Sequence, residues 1–450
     1  MEVEENKNND EVNFDLLSRH DLEMHLVKAA RDGRLDRVKI LLSKGASPDA
    51  KEYNRTLFYA SENYTTPLQN AACGGFHELA QFLIEHDADI NSGDRFDVTA
   101  LHMAAEKGHV KCVELLLEGG ADCNIGTKYS KYGSYTAFPH PGGTTPLHLA
   151  ATFNHIECVK TLIWHGADYN AVDEFGRTSL FLAATFAFED CVHAHLNNAI
   201  WKDILSLPVN KTGPQQISGN TPLHECVKHK MVSCIVALLK KGSDVNHKNA
   251  AGYSPLHLAV RAGEGFSMEV LRALVVNGYN TDVNIPDFQG YTPLHYACFH
   301  ENNMQERRPE VARLLISYGA NTDIKIIRGD HSNLLTQELR SPFADKSILK
   351  YIVKTMAVLP SPDSIRMVDP SLAGLHMDMA QRRRLIANSQ APYEKLRWFQ
   401  NECRKPRTLQ QLCRCSVRHA MTNKRIPQIR TLQVPTSLID YLLFNDGEED

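Results

Sequence analysis

The chain has 450 residues, with 49 Lys and Arg against 53 Asp and Glu, and a formal charge of −4. That balance excludes capture of nucleic acid by whole-protein electrostatics. A 43% hydrophobic and 23% charged composition excludes wholesale disorder. The longest apolar run, Leu180 to Phe188 with Thr185 inside it, falls far short of the ~18 residues a spanning helix needs, so no membrane partner is expected. The chain starts acidic, with Glu2, Glu4, Glu5, Asp10 and Glu11, where a secretory signal needs a basic start and an apolar stretch. Its 11 cysteines lack framework spacing, which fits reduced thiols and a location in the cytoplasm or nucleus. The Asn-x-Thr triplets at Asn54, Asn63 and Asn210 then read as chance.

In chain order the first strong signal is a repeat. Its anchors are Thr66-Pro67-Leu68, Thr99-Ala100-Leu101-His102, Thr145-Pro146-Leu147-His148, Thr178-Ser179-Leu180, Thr221-Pro222-Leu223-His224, Ser254-Pro255-Leu256-His257 and Thr292-Pro293-Leu294-His295, and three of their six spacings are 33. Asp87, Gly120, Gly166 and Gly242 lie 21 residues after their anchors, and Asn91, Asn124, Asn170 and Asn246 lie 25 after. The same offset links Met24 to Gly45, so an earlier unit is expected near Met24. Within one unit, Thr99 is placed to cap a helix whose first turn carries Ala100, where proline stands elsewhere. Leu101, Ala104 and Ala105 follow at helical spacing. A second helix presents Val110, Val113, Leu116 and Leu117 and stops at Gly119-Gly120. Asp173 to Gly176 and Asp287 to Gly290 read as tight turns in the connecting hairpins.

These residues resemble the ankyrin repeat in length and in the Thr-Pro-Leu-His signature. The resemblance implies an all-α solenoid of helix-turn-helix units with hairpin loops. About eight units run from Met24 to about Asp323, and a degenerate closing pair spans Ser332 to Met356. Such a stack buries only neighbouring faces and offers a long surface for proteins, with no chemistry of its own. Departures from the repeat point to specificity. Asn124 to Thr145 is 21 residues where other units have 8, and the insertion carries Tyr129, Tyr132, Tyr135, Phe138 and His140. Tyr132, Tyr135, Phe138, Phe153, Phe175 and Phe288 are therefore candidate contacts for a bound protein. A merely tolerated or self-packing insertion is the bland alternative. Phe153, Phe181 and Phe299 are expected on the ligand-facing surface, and the worn unit after Thr178, through Trp201 to Gly219, is a second candidate face.

After Leu359-Pro360-Ser361-Pro362 the character of the chain changes. Gln381 to Arg430 holds 13 basic residues against 2 acidic, a net of +11. Tyr393, Leu396 and Phe399 stand at helical spacing. Thr408 and Gln411 form a capping box after Pro406-Arg407. On the helix it starts, Leu409, Leu412, Cys413, Val417 and Ala420 fall on one stripe while Arg414 and Arg418 point away. Leu432-Gln433-Val434-Pro435 and then Leu438, Tyr441 and Leu442 follow. Some 40 residues cannot bury this alone, so the segment needs a partner.

This second segment resembles the SOCS box, and the whole chain is similar to the ankyrin repeat and SOCS box family. The resemblance implies a boundary scheme of a flexible acidic segment at 1–22, repeats at 23–358, a linker with a helix at 359–404, a small helical SOCS box at 405–444 and an acidic tail at 445–450. It also implies a non-catalytic substrate receptor. Leu409, Leu412, Cys413 and Val417 would hold elongin C with elongin B. Leu432, Val434 and Pro435 would hold cullin-5 with its RING partner. The family's cullin element reads Leu-Pro-x-Pro, and here Gln433 replaces the first proline. Its loss raises the cost of ordering the segment by ~0.4–1 kcal/mol, a few-fold in affinity. The alternative is an adaptor that binds elongin without productive cullin recruitment.

No cofactor or metal is expected. His224 and His229 are five apart, where a zinc-protease helix needs four. Cys403, Cys413, Cys415 and His419 are splayed on or around one helix. The signature histidines read as structural hydrogen-bonding groups. The basic stretch lacks a nucleic-acid reader fold and fits a solvated face. Asn124 and Asn170 resemble sites hydroxylated in some ankyrin proteins, although turn hydrogen bonding is their ordinary role.

Overall fold

The computed structural model describes residues 18–54, 63–128, 140–197, 219–262, 266–278, 280–298, 309–322, 335, 346–355 and 397. The chain divides into two compact units, Met1–Gln216 and Ile217–Asp450. The first contains α1 (Arg19–Arg31), α2 (Leu35–Ser43), β1 (Glu52–Asn54), β2 (Asn63–Thr65), α3 (Pro67–Gly74), α4 (His77–Glu85), α5 (Ala100–Lys107), α6 (Val110–Glu118), α7 (Pro146–Thr152), α8 (Ile156–Trp164), α9 (Ser179–Thr185) and α10 (Glu189–Asn197). The second contains α11 (Pro222–Lys228), α12 (Val232–Lys240), α13 (Pro255–Arg261), α14 (Met268–Asn277), α15 (Pro293–Cys298), α16 (Pro309–Ser317) and α17 (Lys346–Thr355).

Thr66, Thr99, Thr145, Thr178, Thr221 and Ser254 sit extended at N-caps, and the residue after each opens the helix. Thr99 caps its helix as expected, and Thr66, Thr99, Thr145, Thr221 and Ser254 all go further and form a reciprocal capping box with the residue three positions on. Paired alanines then let first helices approach closely. Ala71, Ala72, Ala104, Ala105, Ala150, Ala151, Ala183 and Ala184 are all fully buried, where α3 packs on α5, α5 on α7 and α7 on α9. Second helices pack alongside on Leu79 and Leu83, on Val113 and Leu116, and on Val159 and Leu162, with Val110 only half-buried at the entry to α6.

The second unit repeats the plan, α11 against α13 and α13 against α15, with α12 against α14. Within the stretch from Ser332 to Met356, Leu335 is buried, and α17 buries Ile348, Leu349, Ile352 and Val353 and packs on α16.

Three features differ from expectation. The first helix begins at Arg19, with the Ser18 hydroxyl accepting from the Asp21 amide at 3.2 Å, ahead of the boundary at residue 23. A short antiparallel ladder pairs Glu52 with Thr65 and Asn54 with Asn63, so one hairpin carries true strand pairing while the other elements among the described residues are helices. The third is a correction. Phe181 is 4% exposed and belongs to the core, because α9 is buried nearly all round from Ser179 to Ala184. That all-round burial is also why the longest apolar run of the sequence lies there. Among the described residues no helix is long and apolar enough to cross a membrane.

Candidate protein-binding surface

The signature histidines set the spacing of the stack. In the second anchored unit the backbone N–H of Thr99 donates to Nδ1 of His102 at 3.1 Å, which makes Nδ1 an acceptor and leaves the proton on Nε2. That Nε2–H donates 3.1 Å to the Thr144 carbonyl of the next unit. His148 reaches the Arg177 carbonyl at 3.0 Å in the same way, His224 the Tyr253 carbonyl at 3.0 Å and His257 the Tyr291 carbonyl at 3.1 Å. Gln69 occupies the equivalent place with an amide. Its Oε1 accepts from the Thr66 N–H at 2.8 Å and its Nε2 donates to the Val98 carbonyl at 2.7 Å. Burial pushes His102, His224 and His257 down to about 4. His224 thus has both ring nitrogens engaged in a neutral structural role.

A second ladder runs along the hairpins. Asn91 Oδ1 accepts from the Asp122 amide at 2.9 Å, Asn124 Oδ1 from Asp168 at 2.7 Å, Asn246 Oδ1 from Asp282 at 2.8 Å and Asn284 Oδ1 from Asn321 at 2.6 Å. The asparagines are therefore latches between units as well as turn residues. Asn124→Ala is expected to lower stability by about 1–2 kcal/mol, read as a lower urea midpoint, whereas Asn124→Asp, which keeps the acceptor, should cost less. At the hairpin tips Asp173 Oδ1 accepts from the Phe175 and Arg177 amides at 3.0 and 2.9 Å, and Asp287 Oδ1 from Gln289 and Tyr291 at 2.8 and 2.9 Å, as the turn reading requires.

These ladders display aromatic side chains. Phe153 caps the C-terminus of α7, is 48% exposed and stacks near His155. Phe288 is 63% exposed at its tip and lies across Gly252, where an added Cβ would stand 2.7 Å from its ring. Phe175 is half-buried with the Arg177 guanidinium over its ring at 4.8 Å. Tyr132, Tyr135 and Phe138 lie outside the described residues. So do Phe299, the Trp201 segment, the cysteines from Cys403 onward, and the box residues Leu409, Leu412, Cys413, Val417, Leu432, Val434 and Pro435.

Sequence reading missed two groups. Phe186 repeats the Phe153 position 33 residues later and is equally exposed, a signal that the repeat register already carried. Arg261 lies over Tyr253 at 4.1 Å and Tyr296 at 4.8 Å, while the Tyr296 hydroxyl donates to Asp287 Oδ2 at 2.6 Å. Burial first, and then Asp287, push the Tyr296 phenol up. Nothing in the sequence placed Arg261 near either ring.

The capping-box histidine ladder and the paired-helix units define an ankyrin-repeat protein. The family model for ankyrin repeats matches residues 26–127, 133–200, 147–249 and 223–326, and that for the SOCS box matches residues 405–443. With both modules present, the chain belongs to the ankyrin repeat and SOCS box family. Both are adaptor-type modules rather than catalytic ones.

Among curated proteins it is similar to the E3 ubiquitin-protein ligase KEG of Arabidopsis thaliana, 35% identical over 95 residues, 21% of this chain and 5% of that protein. It is also similar to ankyrin repeat and KH domain-containing protein 1 of Homo sapiens, 33% identical over 105 residues, 23% of this chain and 4% of that protein. The palmitoyltransferase ZDHHC13 of Mus musculus is 36% identical over 250 residues, 55% of this chain and 35% of that protein. The matches thus span a small part of the first relatives and about a third of the last.

Proposed function

We propose that the chain is the substrate-recognition subunit of an elongin B/C and cullin-5 type ubiquitin ligase. The observation that carries this is the joint presence of a repeat stack built for protein contact and a SOCS box at residues 405–443. The stack holds the target, with Phe153, Phe175, Phe288 and the insertion residues Tyr132, Tyr135 and Phe138 as contacts. The stripe of Leu409, Leu412, Cys413 and Val417 docks into elongin C, and Leu432, Val434 and Pro435 engage the cullin. No step of ubiquitin transfer falls to this chain, and the reading places it in the cytoplasm or nucleus.

Co-expression with elongins B and C tests the box directly. Leu409→Ala with Cys413→Ala is expected to abolish co-purification while the repeats stay folded, since truncating one buried leucine costs on the order of 2–5 kcal/mol. Retention of elongin by that variant would sink the assignment. A second reading is favoured by Gln433, which leaves the cullin element without its first proline. Titration of cullin-5 onto the elongin complex separates the two. Sub-micromolar binding fits a working receptor, and an elongin complex that ignores cullin fits an adaptor that holds its target away from the ligase.

A further inference from the structure

Trp164 ends α8 with 70% of its surface exposed, the most exposed large apolar side chain among the described residues. The repeat shows that this is not a requirement of packing. The same last position of the second helix is Glu85 in α4, Glu118 in α6, Asn197 in α10 and Lys240 in α12. An indole left in water where four sister units place a polar side chain marks a contact surface.

The ring lines a groove of about 850 Å³ between α6, α8 and α10, on the second-helix side of the first compact unit. Glu114, Glu118, Glu157 and Asp190 also line it. The one lysine on the wall, Lys160, already pairs with Glu157 at 2.8 Å. Among the described residues Glu114, Glu118 and Asp190 have no cationic partner. The field of this wall is felt in the core beneath it. Burial first, and then the Glu114 and Glu157 carboxylates, raise the Cys158 thiol to about 11. An exposed indole beside unpaired carboxylates is complementary to one kind of occupant, a side chain with an aliphatic stem and a cationic head.

We propose that this groove binds an arginine- or lysine-rich segment of a partner protein, with one cationic side chain over the Trp164 indole and its neighbours paired to Glu114, Glu118 and Asp190. The site lies on the second helices of the first unit, whereas Phe153 ends a first helix, and the inference stands whether or not the box recruits a ligase.

The 450-residue chain contains three tryptophans, so Trp201→Phe with Trp398→Phe makes Trp164 its only tryptophan reporter. The probe is a blocked dodecapeptide of alternating Arg and Ala, with Glu-Ala and Ser-Ala peptides as controls. A saturable change in Trp164 emission is expected with the Arg peptide alone, weakening as salt rises. Glu114→Lys with Asp190→Lys, both at exposed positions, should reduce affinity about tenfold or more without changing the helical circular dichroism. If the double Trp→Phe chain does not fold, the indole N–H resonance of Trp164 in the unmodified chain, identified by Trp164→Phe, gives the same readout. No saturable response, or one that survives the charge reversal, overturns the proposal. So does a shift of Trp164 emission by salt alone, because the groove would then already hold the chain's own basic stretch at 381–430.

Discussion

Between about pH 6.5 and pH 4 the repeats are expected to lose stability steeply, and replacing the signature histidines by glutamine is expected to remove most of that loss. His102, His224, His257 and His295 have an ordinary value of 6.5 and are each held at about 4, with burial the largest cause. His195 is likewise held at about 4, its Nδ1–H donating to the Cys191 carbonyl at 2.8 Å. A depressed histidine binds a proton more readily in the unfolded chain. The unfolded state therefore carries more protons across this window, and stability falls as pH falls. Each such histidine contributes on the order of 1–3 kcal/mol to the change. Protonation would also place a second N–H on Nδ1, facing the Thr99 amide that now donates to it.

Gln69 supplies the control that the molecule itself provides, since its amide spans the same two backbone groups and does not titrate in this range. The quadruple variant His102→Gln, His148→Gln, His224→Gln and His257→Gln should fold at neutral pH with a modest loss. Its acid transition, followed by circular dichroism, should move down by about one pH unit or more. An unmoved transition would show that groups other than these histidines drive acid unfolding. Glu106 does not confuse the reading. A hydrogen bond from His140 chiefly lowers it from 4.5 to about 2, so its contribution is lost as pH falls between those values and meets the histidine window only at its acid edge.

The helical plan was legible because repetition multiplies a weak local signal. One Thr-Pro-Leu-His is a capping guess, whereas seven anchors with common offsets fix where each helix begins and which alanines touch. Tip aspartates were legible for the same reason, since an Asp or Asn two residues before the amide it accepts is a local arrangement. What escaped the sequence is what depends on contacts across units. Phe181 reads as an exposed aromatic until α9 is seen buried on all sides. Arg261 meets Tyr296 only because α13 packs against α15. The asparagine latches read as turn residues because their second partner lies more than 30 positions away. The ladder of β1 and β2 was illegible because strands of three residues carry no usable alternation.

The turn between the helices of a unit is where the largest loss from a single methyl group is expected. Gly75, Gly108, Asn154, Ala187 and Lys230 occupy one repeat position, and all lie in the left-handed region, with φ between 59° and 76°. At Gly108 a Cβ would meet two constraints. The backbone, at φ 76°, disfavours any L side chain by about 1–2 kcal/mol. The methyl would also fall against the His155 ring, within 2.6 Å of Cε1. That ring cannot swing aside freely, because its Nε2–H donates to the Glu106 carbonyl at 2.8 Å and ties the two units together. Gly108→Ala should therefore cost about 2–4 kcal/mol, measured by urea unfolding. Adding His155→Ala removes the clash, so in that background Gly108→Ala should cost only the backbone share of about 1–2 kcal/mol, and the cycle yields the steric part as a coupling energy. The converse holds at Ala187 and Lys230, two of the three positions that bear a side chain in this strained conformation. Ala187→Gly and Lys230→Gly should each stabilise by about 0.5–1 kcal/mol, the relief of strain exceeding the added entropy of the unfolded glycine. If Gly108→Ala were neutral, or if Lys230→Gly destabilised, the left-handed turn would not be the constraint that sets the angle between paired helices in this stack.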